Sequence, residues 1–176
     1  MRKLKNSELN RIDVATFKKT EKTPLIVVLD NVRSLNNVGS VFRTSDAFLV
    51  EEILLCGITA TPPHREIHKT ALGAEDSVKW QYFEDTIEAI NYLKEQNFQI
   101  FAIEQAEEAT MLDKVKLNKS KQYAIVLGNE VKGVKQKIVD ACDGCIEIPQ
   151  FGTKHSLNVS ISGGIVIWDF YQKLNV

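Results

Sequence analysis

Behind Pro24 the chain runs Leu25-Ile26-Val27-Val28-Leu29, and Tyr123-Ala124-Ile125-Val126-Leu127 repeats the pattern before Gly128. A strand with one wet face alternates apolar and polar side chains. An unbroken run belongs to a strand covered on both faces, as in parallel sheets layered between helices. The intervening stretches suit that architecture. Asn37 to Phe48 reads as a helix, Ile53-Leu54-Leu55-Cys56 as a short strand, and residues 59–65, with Pro62-Pro63, as loop. Asp85 to Gln96 reads as a helix with Ile87, Ile90 and Leu93 three apart, and Phe98 to Ile103 as a strand. Val134 to Cys142 reads as a helix ending near Gly144, and Cys145 to Ile148 as a strand ahead of Pro149. This alternation predicts an α/β domain with a mostly parallel sheet flanked by helices. Leu157 to Leu174 stays open on propensity. Val159, Ile161, Ile165, Val166, Ile167 and Gly163-Gly164 favour strand, whereas the length and the small residues favour a closely packed helix.

Composition narrows the function classes. With 176 residues the chain is one domain's length and needs no disulfide to build a core. Lys plus Arg number 22 against 23 Asp plus Glu, a net charge of −1, which excludes a global polycation gripping nucleic acid by charge alone. No apolar run approaches the ~20 residues of a membrane span, and no apolar stretch behind Met1 suggests a secretory signal. Three cysteines, an odd number, point to reduced thiols and a cytoplasmic protein. Charge is uneven. Residues 1–22 hold seven Lys/Arg (Arg2, Lys3, Lys5, Arg11, Lys18, Lys19, Lys22) against Glu8, Asp13 and Glu21, a net of +4, so the remainder carries −5. This basic arm reads either as a solvated tail, with a short helix capped by Ser7, or as an extension that touches RNA.

Several motifs carry no chemistry on inspection. Cys142-Asp143-Gly144-Cys145 sits where a helix ends, whereas a redox pair wants to open one, and no further ligands flank it for zinc. His64 and His68 lack the glutamate order of a zinc protease. A dinucleotide fingerprint, a phosphate loop and a nucleophile elbow around Ser156 are all missing, and no metal site is expected.

Three polar segments remain, each placed to follow a strand: Asn37-Val38-Gly39 through Arg43-Thr44; Leu127-Gly128-Asn129-Glu130-Val131-Lys132-Gly133; and Ile148-Pro149 through Gly152 to Ser156-Leu157-Asn158-Val159. In a parallel sheet the loops beyond the carboxyl ends of the strands form the ligand crevice. Taken singly, turn and cap chemistry explains each segment. In this order they resemble the three motifs of the SpoU (TrmH-like) RNA 2′-O-methyltransferases of the SPOUT class. The resemblance runs from residue 24 to the C-terminus, dividing the chain into an arm (1–23) and a methyltransferase domain (24–176).

The resemblance implies a C-terminal helix, a deep trefoil knot forming an S-adenosyl-L-methionine pocket, and a homodimer with the active site near the subunit interface. It implies cofactor contacts at Leu127, Gly128, Ile148 and Leu157. It implies methyl transfer to a ribose 2′-OH, with Arg43 activating the hydroxyl or clamping phosphate, and Asn37 holding Arg43 or the ribose. Glu130 is expected to orient arginine or lie near the cofactor, and Ser156 and Asn158 to bond the target phosphate or ribose. The partner is RNA, tRNA favoured over rRNA because ribosomal members often carry an extra RNA-binding domain. The alternatives are an inactive RNA-binding module of the same fold, a 23S rRNA enzyme, or a small-molecule α/β enzyme, the last disfavoured by the missing phosphate loop.

Overall fold

The computed structural model describes residues 1–176, apart from the side chain of Asn6. Seven strands form one sheet in the order β3-β2-β1-β6-β4-β7-β5, and every neighbouring pair is parallel. They are β1 (Thr23–Asp30), β2 (Val50–Cys56), β3 (Lys79–Phe83), β4 (Gln99–Ile103), β5 (Thr110–Met111), β6 (Tyr123–Leu127) and β7 (Gly144–Glu147). The helices are α1 (Val14–Lys19), α2 (Leu35–Ala47), α3 (Arg65–Ala71), α4 (Ala74–Ser77), α5 (Thr86–Glu95), α6 (Gln136–Val139) and α7 (Val159–Asn175).

The two unbroken apolar runs are the paired central strands β1 and β6. Their alternate residues feed two cores. Leu25, Val27, Leu29, Tyr123, Ile125 and Leu127 pack against α2, α3 and α7. Ile26, Val28, Ala124 and Val126 pack against α5 and α6. Both faces are apolar because both are covered.

Several element boundaries differ from the sequence expectation. The helix expected from Asn37 opens earlier, with Ser34 as its N-cap. The helix expected over Val134–Cys142 shrinks to α6, because the backbone at Lys135 is extended and caps the helix there, leaving Val134 outside with its N–H on the Glu104 carboxylate. Strand β3 went unforeseen. It is an edge strand of half-exposed residues, so its sequence lacks an apolar run. Asp13, not Ser7, caps the helix of the arm, and its Phe17 enters the core. Leu157–Leu174 resolves as helix: α7 starts at Val159 behind its cap, Asn158. Gly163 lets α7 lie against β6, since a Cβ there would stand 2.9 Å from Leu127 Cδ1.

Candidate active site

All strands run the same way, so the segments after β1, β4, β6 and β7 meet along one edge of the sheet. Three of them are the polar segments singled out in the sequence. Between them lies a cleft of about 680 Å³, lined by the turn 127–134, the segment after β7 with Ile148, Ser156, Leu157 and Asn158, and residues 103–105.

The turn after β6 is built by its own residues. Asn129 and Gly133 exchange backbone hydrogen bonds, and Asn129 Oδ1 accepts from Val131 N–H and Lys132 N–H. Asn129 Nδ2 donates to the Asn31 carbonyl at 2.8 Å, tying the turn to the end of β1. Gly133 has φ +63°, which favours glycine.

That turn carries Glu130 to the N-terminus of α2. Its carboxylate accepts from Arg33 N–H and Ser34 N–H, both at 2.9 Å, and from Asn37 Nδ2 at 3.0 Å. The N-terminal amides of a helix lack partners within it, and an acid there also meets the positive end of the helix dipole. Partial burial pushes the Glu130 carboxyl up, but these hydrogen bonds outweigh it and hold it below the ordinary glutamate value.

Asn37 links the first segment to the other two. While its Nδ2 serves Glu130, its Oδ1 accepts from Asn158 Nδ2 at 3.1 Å. Asn158 Oδ1 in turn accepts from Ser160 N–H at 2.9 Å and so caps α7. The cap explanation for Asn158 therefore describes half of its amide, and the other half reaches across to Asn37. The cap explanation for Asn37 does not hold, because Ser34 fills that position.

Of the expected site residues, Leu127, Gly128, Glu130, Ile148, Ser156, Leu157 and Asn158 line the cleft, and Asn37 bonds to two of them. Arg43 stands apart. It is exposed, is absent from the cleft lining, and makes no hydrogen bond or ion pair among the described residues. Six positions beyond Asn37 on a helix is roughly 120° around the axis at ~3.6 residues per turn, so Asn37 and Arg43 face different directions. Asn37 thus holds Glu130 and Asn158, not Arg43. Glu130 meets a backbone N–H of Arg33, not an arginine side chain.

Sequence reasoning assigned no role to Glu104, Gln105 or Asn129, all of which line the cleft. The rule that ligands sit beyond strand carboxyl ends applied equally to the end of β4, where Glu104 and Gln105 stand. The cysteines are unbridged, and burial pushes both the Cys142 and Cys145 thiols up, which disfavours the thiolate at this pair.

Comparison with known proteins places this geometry. The SpoU rRNA Methylase family model matches residues 24–168. The chain is 33% identical over 149 residues to the 23S rRNA (guanosine-2'-O-)-methyltransferase of Nitrosomonas europaea, covering 85% of this chain but 56% of that enzyme. It is 29% identical over 163 residues to the tRNA (guanosine(18)-2'-O)-methyltransferase of Thermus thermophilus, covering 93% of this chain and 82% of that one. The solved AdoMet-bound rRNA methyltransferase of Sinorhizobium meliloti shares the fold, with a TM-score of 0.81 at 24% identity over 91% of this chain and 61% of that one. The chain thus spans little more than half of the ribosomal relative from Nitrosomonas. The matched region contains all three polar segments that converge on the cleft, and the chain belongs to the SpoU rRNA methylase family.

Proposed function

We propose that this protein is an S-adenosyl-L-methionine-dependent methyltransferase acting on ribose 2′-OH groups of structured RNA, tRNA ahead of 23S rRNA. The observation that carries the reading is the bond path Glu130–Asn37–Asn158, which joins the three polar segments beside one cleft. Relatives named as tRNA and rRNA 2′-O-methyltransferases support the activity. The choice of tRNA rests on the small basic surface that the arm offers a polyanion.

The residues present fit the methyl donor. A cleft of about 680 Å³ falls in the range of small-molecule sites. Gly128 and Gly133 line it, where the backbone offers donors and acceptors for a purine. Glu104, Glu130 and Glu147 line it against Lys132, a negative bias that suits a cation. When bound, the donor supplies a methyl group on a positively charged sulfur. Leu127, Gly128, Ile148 and Leu157 hold it. Arg43 grips the phosphate beside the target ribose, and its unpaired fork is free for that task. A guanidinium is always protonated, so Arg43 would steady negative charge on the attacking oxygen rather than take the proton, which would pass to solvent water as the new O–CH3 bond forms and the donor's S–CH3 bond breaks. Ser156 and Asn158 orient the ribose, and Glu130 and Asn37 keep the segments in register.

Three further parts belong to the reading. The crossing from β7 past β4 and β6 to α7, which packs on β1 and α2, supports a knotted C-terminal segment. A homodimer supplies a cover for the exposed apolar face of α7 and brings Arg43 to a complete site. A cytoplasmic location accords with three free cysteines; no helix is long and apolar enough to cross a membrane.

The test is incubation with separate pools of tRNA and rRNA and donor carrying a labelled methyl, followed by mapping of the modified ribose. Label on a 2′-oxygen of tRNA is expected. Label on a base, or no transfer to either pool, overturns the reading, and donor binding without transfer identifies a binding module instead.

A further inference from the structure

Glu104 and Gln105 stand just past the end of β4, and beyond the negative charge that Glu104 lends the cleft the chemistry above gives neither a role. Both line the cleft. The Glu104 carboxylate is held from two sides: Oε2 accepts from Val134 N–H at 3.0 Å and Oε1 from Gln105 N–H at 2.9 Å. Its backbone carbonyl accepts from Cys145 Sγ at 3.4 Å, which anchors the residue to β7.

The carboxylate occupies the space where a side chain on Gly133 would go, and a side chain on Gly128 would strike the Gly133–Val134 backbone. Glu104, the Gly133–Val134 peptide and Gly128 therefore form one stack, each in contact with the next. Holding Val134 N–H in place holds Gly128. On the other side of the cleft, Gln105 Nε2 donates to the His155 carbonyl at 3.0 Å. Residues 151–158 are all exposed, so little packing orders that segment. Two adjacent residues thus grasp the two walls of the cleft.

We propose that Glu104 and Gln105 are positioning residues that clasp the 128–134 turn and the 150–158 segment together and so set the affinity for the methyl donor. The inference rests on the donor reading of the cleft. An unclasped segment must be ordered at the moment of binding, and that cost falls on affinity. Arg43 is untouched, and once saturating donor has ordered the turn and the segment that carry Glu130, Ser156 and Asn158, turnover is largely spared.

Gln105→Ala, Gln105→Glu and Glu104→Gln test the clasp, by calorimetry with S-adenosyl-L-methionine and by steady-state kinetics on tRNA. Gln105→Ala is expected to weaken donor binding about five- to tenfold, the scale of one hydrogen bond removed. Gln105→Glu matches the side chain in size but opposes a carboxylate to the His155 carbonyl, so it too should weaken binding, less than alanine does where its added negative charge favours the cationic donor. Glu104→Gln turns an amide N–H toward a backbone N–H and should also cost about tenfold. In all three, KM for the donor rises while kcat stays within about threefold, and the melting temperature stays within a few degrees. Gln105→Ala binding donor as tightly as wild type overturns the clasp, as does a loss of kcat at unchanged KM. A wild-type protein that binds no donor overturns the donor reading and this inference together.

Discussion

Asn37 is where the three polar segments meet, and it can join them because an amide has one donating and one accepting end. Glu130 takes the donor and Asn158 supplies the partner for the acceptor. Glu130→Gln keeps the size but sets an amide N–H against the N–H groups of Arg33 and Ser34. Glu130 is exposed, so the loss is modest, about 1.5 kcal/mol, the low end for a charged hydrogen bond, or ~3–6 °C in melting temperature for a chain of this size. Methyl transfer should fall by more than tenfold, because the segments lose register. The acid side follows from the lowered carboxyl. A depressed pKa contributes stability that is fully present above the unfolded value and lost as pH falls through the folded one. Wild type should lose melting temperature over that interval, below the ordinary glutamate range, and Glu130→Gln should show a smaller acid-dependent fall. Arg43→Ala, by contrast, should abolish transfer while donor affinity holds within a few-fold, as calorimetry beside the labelled-methyl assay would read. Arg43→Lys should also be poor, since an ammonium lacks the guanidinium fork. An Arg43→Ala enzyme with most of its turnover would remove arginine from the mechanism.

Helix α2 carries Asn37, and its placement depends on Gly39. A Cβ there would collide with the Ile67 carbonyl and Thr70 Oγ1 of α3. Gly39→Ala should therefore destabilise by about 1–3 kcal/mol, the usual cost of overpacking, and should lower transfer with it. Helix α1 makes the arm two things at once. Its Phe17 is 3% exposed and part of the core, while Leu9 and Ile12 remain in solvent. Phe17→Ala should cost about 3–5 kcal/mol, visible as a large drop in melting temperature. Deleting residues 1–12 instead removes Arg2, Lys3, Lys5 and Arg11 without touching Phe17. That truncation should keep donor affinity and stability, weaken RNA binding, and flatten its salt dependence by roughly 0.7–0.9 in log–log slope for each phosphate no longer neutralised. An unchanged slope would make those residues a solvated tail. Other basic residues are already committed: Lys137 pairs with Asp85 at 2.9 Å and Lys69 with Glu66 at 3.6 Å.

At the scale of the whole molecule, α7 is apolar on more sides than one sheet can cover. Val166, Ile167 and Phe170 are fully buried, yet Ile161 is 56%, Ile165 38% and Trp168 49% exposed. Phe48 and Tyr171 extend the same patch, with the Phe48 ring 5.2 Å from Trp168 and 5.4 Å from Tyr171. A helix with two apolar faces needs two neighbours. Light scattering should give about twice the 19.9 kDa chain mass at micromolar concentration, and Ile161→Glu with Trp168→Glu should halve it. If Arg43 completes its site only in the assembled pair, that monomer should also lose transfer while keeping the donor. A wild type running at the mass of a single chain would end the dimer argument.

The amino-acid sequence by itself determined the layered parallel architecture, because an unbroken apolar run such as Leu25–Leu29 has no stable place except under cover on both faces. It also singled out the three polar segments, and the side chains of Asn37, Glu130 and Asn158 join them beside one cleft. Local pattern did not reach the partners. Glu130 and Asn37 are 93 positions apart and Asn158 and Asn37 are 121, and such distances close only when strand order brings the loops to one edge. Nor did it reach β3, whose half-exposed edge residues carry no run to read, or the true start of α2, where the cap was decided by Ser34. The nature of Leu157–Leu174 was settled by packing as well. Its β-branched residues lean toward strand by tenths of a kcal/mol each, and burying Val166, Ile167 and Phe170 against β1, β6 and α2 outweighs that preference.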